Sequence, residues 1–446
     1  MVVKTVKSRG KITSFAVILV LTLCLPLSVI ITLGSIILAL GRQRGADLSA
    51  SPRNVLLTGG KMSKALQLAR LLSRSGHKVT LVETKKYSCS GHAFSNCVEN
   101  FHLIPSQSEG FDAYRKKLEE VIAANQISLV IPVASPIAVF FDAKLKKQSK
   151  KSYDIFTFEP EIIDCLDNKF ALCQKALDLG LPAPEVFLIE SAKQMKNCDL
   201  FSRGKRYILK CLSYDPVGRL TRPLFPFDGQ DEFVDGLDIS EKRPWVLQEF
   251  IEGQEFCTHT TAKNGEILLH CCCPSSEFQL RYLHVEHQKI FDWVSSFVSE
   301  LKLTGQISFD FIQKQDGGVV PIECNPRTHS AITAFYNETS AWRGYNLLDD
   351  AEVSEPIMPS ESALETYWLY HELGDLVTTF SIRKFIDIFK LFVNGKEALL
   401  DGKDPLPFLM VNHWQIPSLL LQAVRENRPW VRIDFNIGKL VEPGGD

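Results

Sequence analysis

The sequence predicts an α/β protein of two or three cores behind an N-terminal apolar segment, and three observations predict it. The chain has 446 residues, more than a single hydrophobic core usually organises. From Asn54 onward, short apolar runs alternate with amphipathic helical patterns, as expected for strands and helices layered on a mostly parallel sheet. Ahead of them, Ile12 to Gly41 contains no charged residue. The composition, 45% hydrophobic and 23% charged, is that of a folded globular chain and argues against disorder or a fibrous repeat. Charge is unevenly placed: residues 1–53 carry seven basic residues and one acid. Because the whole chain has a formal net charge of −2, the remainder stands at −8. Such an acidic body is a poor partner for nucleic acid, since neutralising phosphates needs a clustered basic face.

Read as one helix, Ile12 to Gly41 runs about 45 Å, longer than a hydrocarbon core of about 30 Å, so a single span must tilt or kink. Pro26 lies near its middle. The segment is about twice the length of a signal-peptide core and no small-residue cleavage site follows it, which favours an uncleaved membrane anchor through residues 12–41. Lys4, Lys7, Arg9 and Lys11 precede it and Arg42 and Arg44 follow, so the positive-inside rule does not orient it. A single span is the simpler reading, and a re-entrant hairpin bending at Pro26 is the alternative.

Residues 46–53 read as a linker. Asn54–Thr58 then forms a strand, Gly59-Gly60 a turn, Ser63–Ser75 an amphipathic helix stopped by Gly76, and Lys78–Glu83 a second strand, a βαβ opening. The Gly59–Ser63 turn could cradle an anion on the helix N-terminus, although it matches neither common phosphate-loop spacing; a plain βα turn is the simpler use. A helix at Asp112–Asn125 and strands at Leu129–Val133 and Ile155–Phe158 continue the pattern. A second unit starts with a helix from Ile162 to Leu179, closed by Gly180, and has a β-rich centre. Near the C-terminus, Ile382, Phe385, Ile386, Phe389 and Val393 share one face of a helix over Ser381–Val393. Packing on the core is the expected use of that face, and docking to a membrane surface is the alternative. The resulting division is 1–52 for anchor and linker, 53–160 and 161–351 for two folded units, and 352–446 for a C-terminal extension packed on them.

The chemistry concentrates in one hairpin. Gly305–Asp310, a turn at Gln315–Gly318 and Val319–Asn325 bring Glu323 and Asn325 onto one strand face with Asp310 on the neighbouring strand. Two carboxylates and an amide oxygen suit Mg²⁺, which keeps its other positions for water and phosphate oxygens. Unpaired carboxylates among Ile307, Phe309, Phe311 and Ile322 would be costly, which favours a cation. Arg327 follows Pro326 beside this set, where a fixed guanidinium could stabilise charge on a transferred phosphoryl group. Upstream, Lys210 closes the apolar strand Tyr207–Lys210, and Lys169 follows Asp167-Asn168 at a helix start. Trp245–Phe250 is a buried strand running into Ile251-Glu252-Gly253-Gln254-Glu255.

In this order these residues resemble the ATP-grasp superfamily: a lysine after Asp-Asn, a lysine closing a strand, a Gln-Glu-Phe-Ile-x-Gly-x-Glu hinge and an Asp…Glu-x-Asn set. The resemblance implies an α+β ATP-grasp fold preceded by a Rossmann-like pre-ATP-grasp domain, with ATP and Mg²⁺ (or Mn²⁺) as cofactors. It implies that Lys169 and Lys210 contact ATP phosphates, that Gln248, Glu249, Phe250 and Ile251 hold the adenine, and that Glu255 faces the ribose. Asp310, Glu323 and Asn325 would hold the metal, with Arg327 and Lys210 as catalytic groups. A glycine-rich phosphate lid is reduced here to Gly218, leaving Ser213 and the backbone near Gly218 to close over the phosphates. The segments Gly59–Arg70, Phe256–His259, His270–Cys273, Leu301–Ile312, Ile322–Ile332 and Asp404–Pro417 narrow the resemblance to the mycosporine-glycine synthase family, ligases that join glycine to 4-deoxygadusol. That implies a C–N ligase of small-molecule substrates, and it is compatible with a homodimer. An ATP-grasp carboxylate–amine ligase and an ATP-binding sensor without turnover are the alternatives.

Twelve cysteines without a C-x-x-C pair suggest a reducing compartment, hence a catalytic body on the cytoplasmic, ATP-containing side. With Asn264-Gly265 as a two-residue turn, His259 pairs with His270 and Cys257 with Cys272 on one face. That set could hold zinc, but lining a substrate cleft is preferred, with His259 and His270 contacting substrate. His329 is a third substrate-side residue, with helix capping or core contact as its alternative.

Overall fold

The computed structural model describes residues 8–443 except 42–44, 46, 134–135, 149–151, 201–202, 214–222, 276–279, 346–354 and 379–380. The lid residue Gly218 and the expected boundary at 351/352 therefore lie outside the described residues.

The chain opens with α1 (Lys11–Leu40), which is continuous through Pro26 and so does not form the hairpin alternative. The βαβ pattern then builds a parallel five-stranded sheet from β1 (Asn54–Leu57), β2 (Lys78–Thr84), β3 (Asn100–Ile104), β4 (Leu129–Ile131) and β5 (Asp154–Ile155), in the order β3-β2-β1-β4-β5. That is the order of the first five strands of a doubly wound sheet, with the switch point between β1 and β4. Its crossover helices include α2 (Ser63–Arg74), α3 (Phe111–Ala124) and α4 (Pro136–Gln148). Val55, Leu56, Leu57, Leu81 and Val82 are fully buried because both faces of the sheet are covered.

The helix expected over Ile162–Leu179 is two helices, α5 (Pro160–Asp167) and α6 (Lys169–Asp178). They break at Asn168, whose backbone is extended and whose side chain caps α6 by accepting from the N–H groups of Phe170 and Ala171. A four-stranded sheet follows, with β6 (Val186–Ile189), β7 (Tyr207–Cys211), β8 (Leu224–Phe225) and β9 (Trp245–Glu249) in the order β6-β9-β7-β8. Two short helices, α7 (Ala192–Lys196) and α8 (Gln230–Asp235), cover it. The second antiparallel sheet has β10 (Gln254–Lys263) and β11 (Glu266–Ser275), a short β12 (Arg281–Tyr282) outside it, then β13 (Gly305–Gln313) and β14 (Val319–Asn325), in the order β11-β10-β13-β14. Helix α9 (Gln288–Glu300) packs Trp293 and Phe297 on Phe309 of this sheet.

C-terminal helices α10 (Leu369–Thr378), α12 (Leu406–Met410) and α13 (Ile416–Arg425) share one core with α2 and the β10/β11 hairpin, and α11 (Ile382–Asn394) packs on α10. A buried ion pair fixes this union: Arg70 Nε lies 2.8 Å from Asp404 Oδ2, and the same guanidinium donates to the carbonyls of Ala398, Leu399 and Asp404. The apolar face of α11 does not pack on the core as expected. Ile388 and Leu391 face inward, and Phe385 and Phe389 are exposed.

Candidate active site

The hairpin β13–β14 places Asp310 directly opposite Glu323 and Ser308 opposite Asn325. Directly opposed residues on one face of an antiparallel pair have Cβ atoms about 5 Å apart, so the two carboxylates share one small volume. Burial, then the charges of Glu323 and Glu255, push the Asp310 carboxyl up to about 7 against the pull of Lys169 and Lys210. A β-bulge adjoins this pair: after Asp310↔Glu323 the register jumps to Phe311↔Pro321, so Ile322 is the extra residue. Its carbonyl turns to accept from Gln248 Nε2 at 3.1 Å, tying β14 to β9 of the other sheet.

Both lysines reach this place. Lys169, first residue of α6, lies 3.3 Å from Glu323 Oε1. Lys210, buried on β7, donates to Gln248 Oε1 at 2.5 Å. The break at Asn168 is what lets Asp167 and Lys169 both point inward: Asp167 Oδ1 is 3.3 Å from Arg327 Nη1, and Arg327 Nη2 donates to Asn325 Oδ1. Asp167 is thus an orienting residue for Arg327. Its signal in the sequence was its place one residue before a cap. Two carboxylates, an amide oxygen and cations on the far side form a donor set that fits a hard divalent cation with phosphate oxygens.

The hinge is more engaged than its sequence suggests. The N–H of Glu249 donates to Glu185 O at 2.8 Å and that of Phe250 to Arg206 O at 2.7 Å. The Glu249 carboxylate accepts from the Glu185 N–H and pairs with Lys205 at 3.1 Å. Any ring lodged here would therefore meet Ile251 and the segment's carbonyls rather than those N–H groups. Glu255 is half-buried at the start of β10 and acts on Asp310 by charge.

The Gly59–Ser63 turn is occupied by protein. The N–H groups of Gly60, Lys61, Met62 and Ser63 donate to Val82 O, Glu83 Oε2, Gly59 O and Asn436 O. An anion cradle on that turn is therefore not formed; it is a βα turn. One of its neighbours does reach the site: Lys64, in the first turn of α2, donates from Nζ to Thr328 O at 2.6 Å, and burial lowers its ammonium to about 7. No local pattern marks this contact, because 264 residues separate the partners.

The histidine pair needs correction. A register shift between Thr261 and Ala262 pairs His259 with Cys271 and His270 with Thr260, and Cys257 with Cys273. His259 and His270 therefore sit on opposite faces, and the proposed zinc set is not assembled. Among the described residues no group of three His, Cys, Asp or Glu side chains is arranged to hold a metal. His270 turns its edge to Phe291, bonds Thr260 Oγ1 through Nδ1 at 2.8 Å, and is lowered to about 3 by burial. It is a core residue away from the cleft. His259 faces the other way: Nδ1 accepts from the His329 N–H at 3.4 Å and Nε2 meets Tyr345 Oη at 2.8 Å, which assigns its proton to Nε2. His329 caps Ser330–Phe335 by accepting from Ala331 N, which bears out the capping alternative, and its ring stays half-buried beside Lys64 and Arg327.

No family model matches the sequence, and no curated protein matches it. Solved structures do. An L-amino acid ligase from Bacillus licheniformis aligns with a TM-score of 0.50 over 65% of this chain and 70% of its own, at 17% identity. The biotin carboxylase domain of Hydrogenobacter thermophilus 2-oxoglutarate carboxylase, solved with MgADP and bicarbonate, aligns with a TM-score of 0.51 over 68% and 72%, at 13% identity. N5-carboxyaminoimidazole synthetase from Staphylococcus aureus gives 0.51 over 67% and 79%, at 12% identity. All three are ATP-grasp ligases. The chain has the ATP-grasp fold. In this fold, Lys169, Lys210, Asp310, Glu323, Asn325 and Arg327 converge where the two antiparallel sheets are joined, and Lys64, His259 and His329 cluster beside Arg327.

Proposed function

We propose that the protein is an ATP-dependent C–N ligase that joins glycine to 4-deoxygadusol, releasing ADP and phosphate. The observation that carries the ligase reading is the convergence of two lysines and an arginine on the Asp310–Glu323–Asn325 set between two sheets. The choice of substrates rests on the sequence resemblance. In this reading Lys169 and Lys210 neutralise the phosphates of ATP, and the ring meets Gln248 to Ile251 with Glu255 on the ribose side. Asp310, Glu323 and Asn325 would hold Mg²⁺, which would supply charge neutralisation for the phosphates.

The enolic oxygen of the cyclohexenone, giving up its proton to solvent, attacks the γ-phosphorus as the bond from that phosphorus to the β–γ bridging oxygen breaks, and ADP leaves. Arg327, aimed by Asp167 and Asn325, stabilises the charge spread over the transferred group. The glycine amine then adds to the ring carbon bearing the phosphorylated oxygen and loses a proton, and expulsion of phosphate restores the conjugated system. A free enol oxygen is a poor leaving group, which is why phosphorylation must come first. Neutral His259 and His329, with Lys64, would orient the acceptor's hydroxyls.

Incubation with ATP, Mg²⁺, glycine and either 4-deoxygadusol or a panel of carboxylates, read by ADP release, tests this. ADP that requires both 4-deoxygadusol and glycine is expected. ADP with a carboxylate alone would make the protein a carboxylate–amine ligase, and tight ATP binding without ADP from any acceptor would leave a sensor.

A further inference from the structure

We infer that α1 does not cross a membrane but lies along one leaflet, and that with the outer face of α11 it forms a monotopic docking surface for an anionic bilayer. This inference is independent of the reaction catalysed. Among the described residues α1 is the one helix long and apolar enough to span. It is bound to the body along its length, however. Its buried residues Ser14, Leu21, Ser28 and Thr32 recur at intervals of seven, seven and four, a single stripe on the helix.

That stripe is held at both ends and in the middle. Trp430 Nε1 donates to Ser14 Oγ at 2.9 Å, and Arg9 N donates to Trp430 O at 2.6 Å. Ser28 Oγ bonds Tyr370 Oη at 2.7 Å, and a Cβ on Gly402 would overlap the carbonyl of Ser35. From Ser14 to Ser35 this contact runs about 32 Å, the full thickness of a hydrocarbon core. A crossing α1 would therefore carry α12, α13 and the Gly402 loop into the bilayer. Their exposed Lys403, Arg425 and Glu426 would be carried with them, and charged side chains inside a bilayer are costly.

Yet the opposite side of α1 cannot rest in water. Phe15, Leu19, Leu23, Ile30, Leu33 and Ile37 are all more than half exposed, a larger apolar strip than soluble monomers normally present. A helix lying in the plane of one leaflet satisfies both sides. Helix α11 presents a second exposed apolar face. Ile382, Phe385, Ile386, Phe389 and Val393 are 46–74% exposed, and exposed Arg383 and Lys390 flank them where basic side chains reach headgroup phosphates. Helix α10, whose Tyr370 holds Ser28 of α1, packs on α11 and joins the two parts. Arg9 and Lys11, both exposed, bring further positive charge to the start of α1.

The test uses full-length protein in vesicles of phosphatidylcholine and phosphatidylglycerol, with a genetically encoded environment-sensitive fluorophore placed singly at Phe15, Leu23, Ile30, Ile37 or Phe389. Lipids brominated near the headgroup or at the chain end report depth. An in-plane surface gives equal, shallow quenching at the four α1 positions and shallow quenching at Phe389. Deep quenching at Leu23 and Ile30 with shallow quenching at Phe15 and Ile37 would establish a span and overturn the inference. So would an unquenched Phe389, or a dimer without lipid in which the same positions are already shielded by a second copy.

Discussion

Replacing Glu323 by Gln removes one of two carboxylates that the hairpin forces together. At about 5 Å and an effective dielectric of about 20, two such charges repel by about 3 kcal/mol. Glu323 is one-third exposed, which reduces the figure to about 1–2 kcal/mol. Against this stands the loss of the Lys169–Glu323 pair, a partly exposed contact worth at most about 1 kcal/mol, with Lys169 still close enough to favour ionised Asp310. The ligand-free variant should therefore unfold at the wild-type temperature or about 1–2 °C above it. Its ADP release should fall by roughly a thousandfold, because a cation site of two carboxylates has become one. Thermal unfolding without ligand and an ADP assay with Mg²⁺ in excess read the two effects separately. A variant that unfolds several degrees lower, or that turns over near the wild-type rate, would refute the view that this pair is held apart from its lowest-energy state for a bound cation.

Three further outcomes follow from the contacts described. Arg70→Met leaves Asp404 charged and buried and should cost about 3–5 kcal/mol in urea unfolding; a loss under 1 kcal/mol would mean that the contact between α2 and the C-terminal helices is not sustained by that pair. Asp167→Asn frees one of the two anchors of Arg327, so kcat should drop roughly tenfold while KM for ATP changes little, and an equal rise in KM would make Asp167 a binding group instead. Lys64 has a folded pKa of about 7, below its unfolded value, so the unfolded chain binds the extra proton between about pH 7 and 10. The cost of burying it is full below pH 7 and fades as pH rises through that window. Lys64→Met should therefore gain stability over wild type at pH 6 and lose that advantage by pH 10, whereas a pH-independent difference would mean that Lys64 is not buried as an amine.

The hairpin that presents Asp310, Glu323 and Asn325 was legible because its alternation and its Asp316-Gly317-Gly318 turn act locally. The βαβ opening was legible for the same reason. What escaped depended on one residue more or less, or on distant partners. The bulge at Thr261/Ala262 moved His270 to the far face, although the Asn264-Gly265 turn itself was read correctly. The break at Asn168 interrupted a pattern that looks like one helix, and the dipeptide Asp167-Asn168 was its only local mark. The apolar face of α11 could not be assigned from periodicity, which gives the direction of a face and not its partner. Lys64 and Thr328 meet only because α2 and the turn after β14 are brought together by the tertiary fold.

Every role proposed for these side chains requires nucleotide to bind at the junction of the two antiparallel sheets. Crystals of the protein grown with MgADP test it most directly. Phosphates are expected between Lys169 and Lys210, a cation on Asp310, Glu323 and Asn325, and the base against Ile251. Nucleotide found at the Gly59–Ser63 turn or elsewhere, with that junction empty, would contradict it.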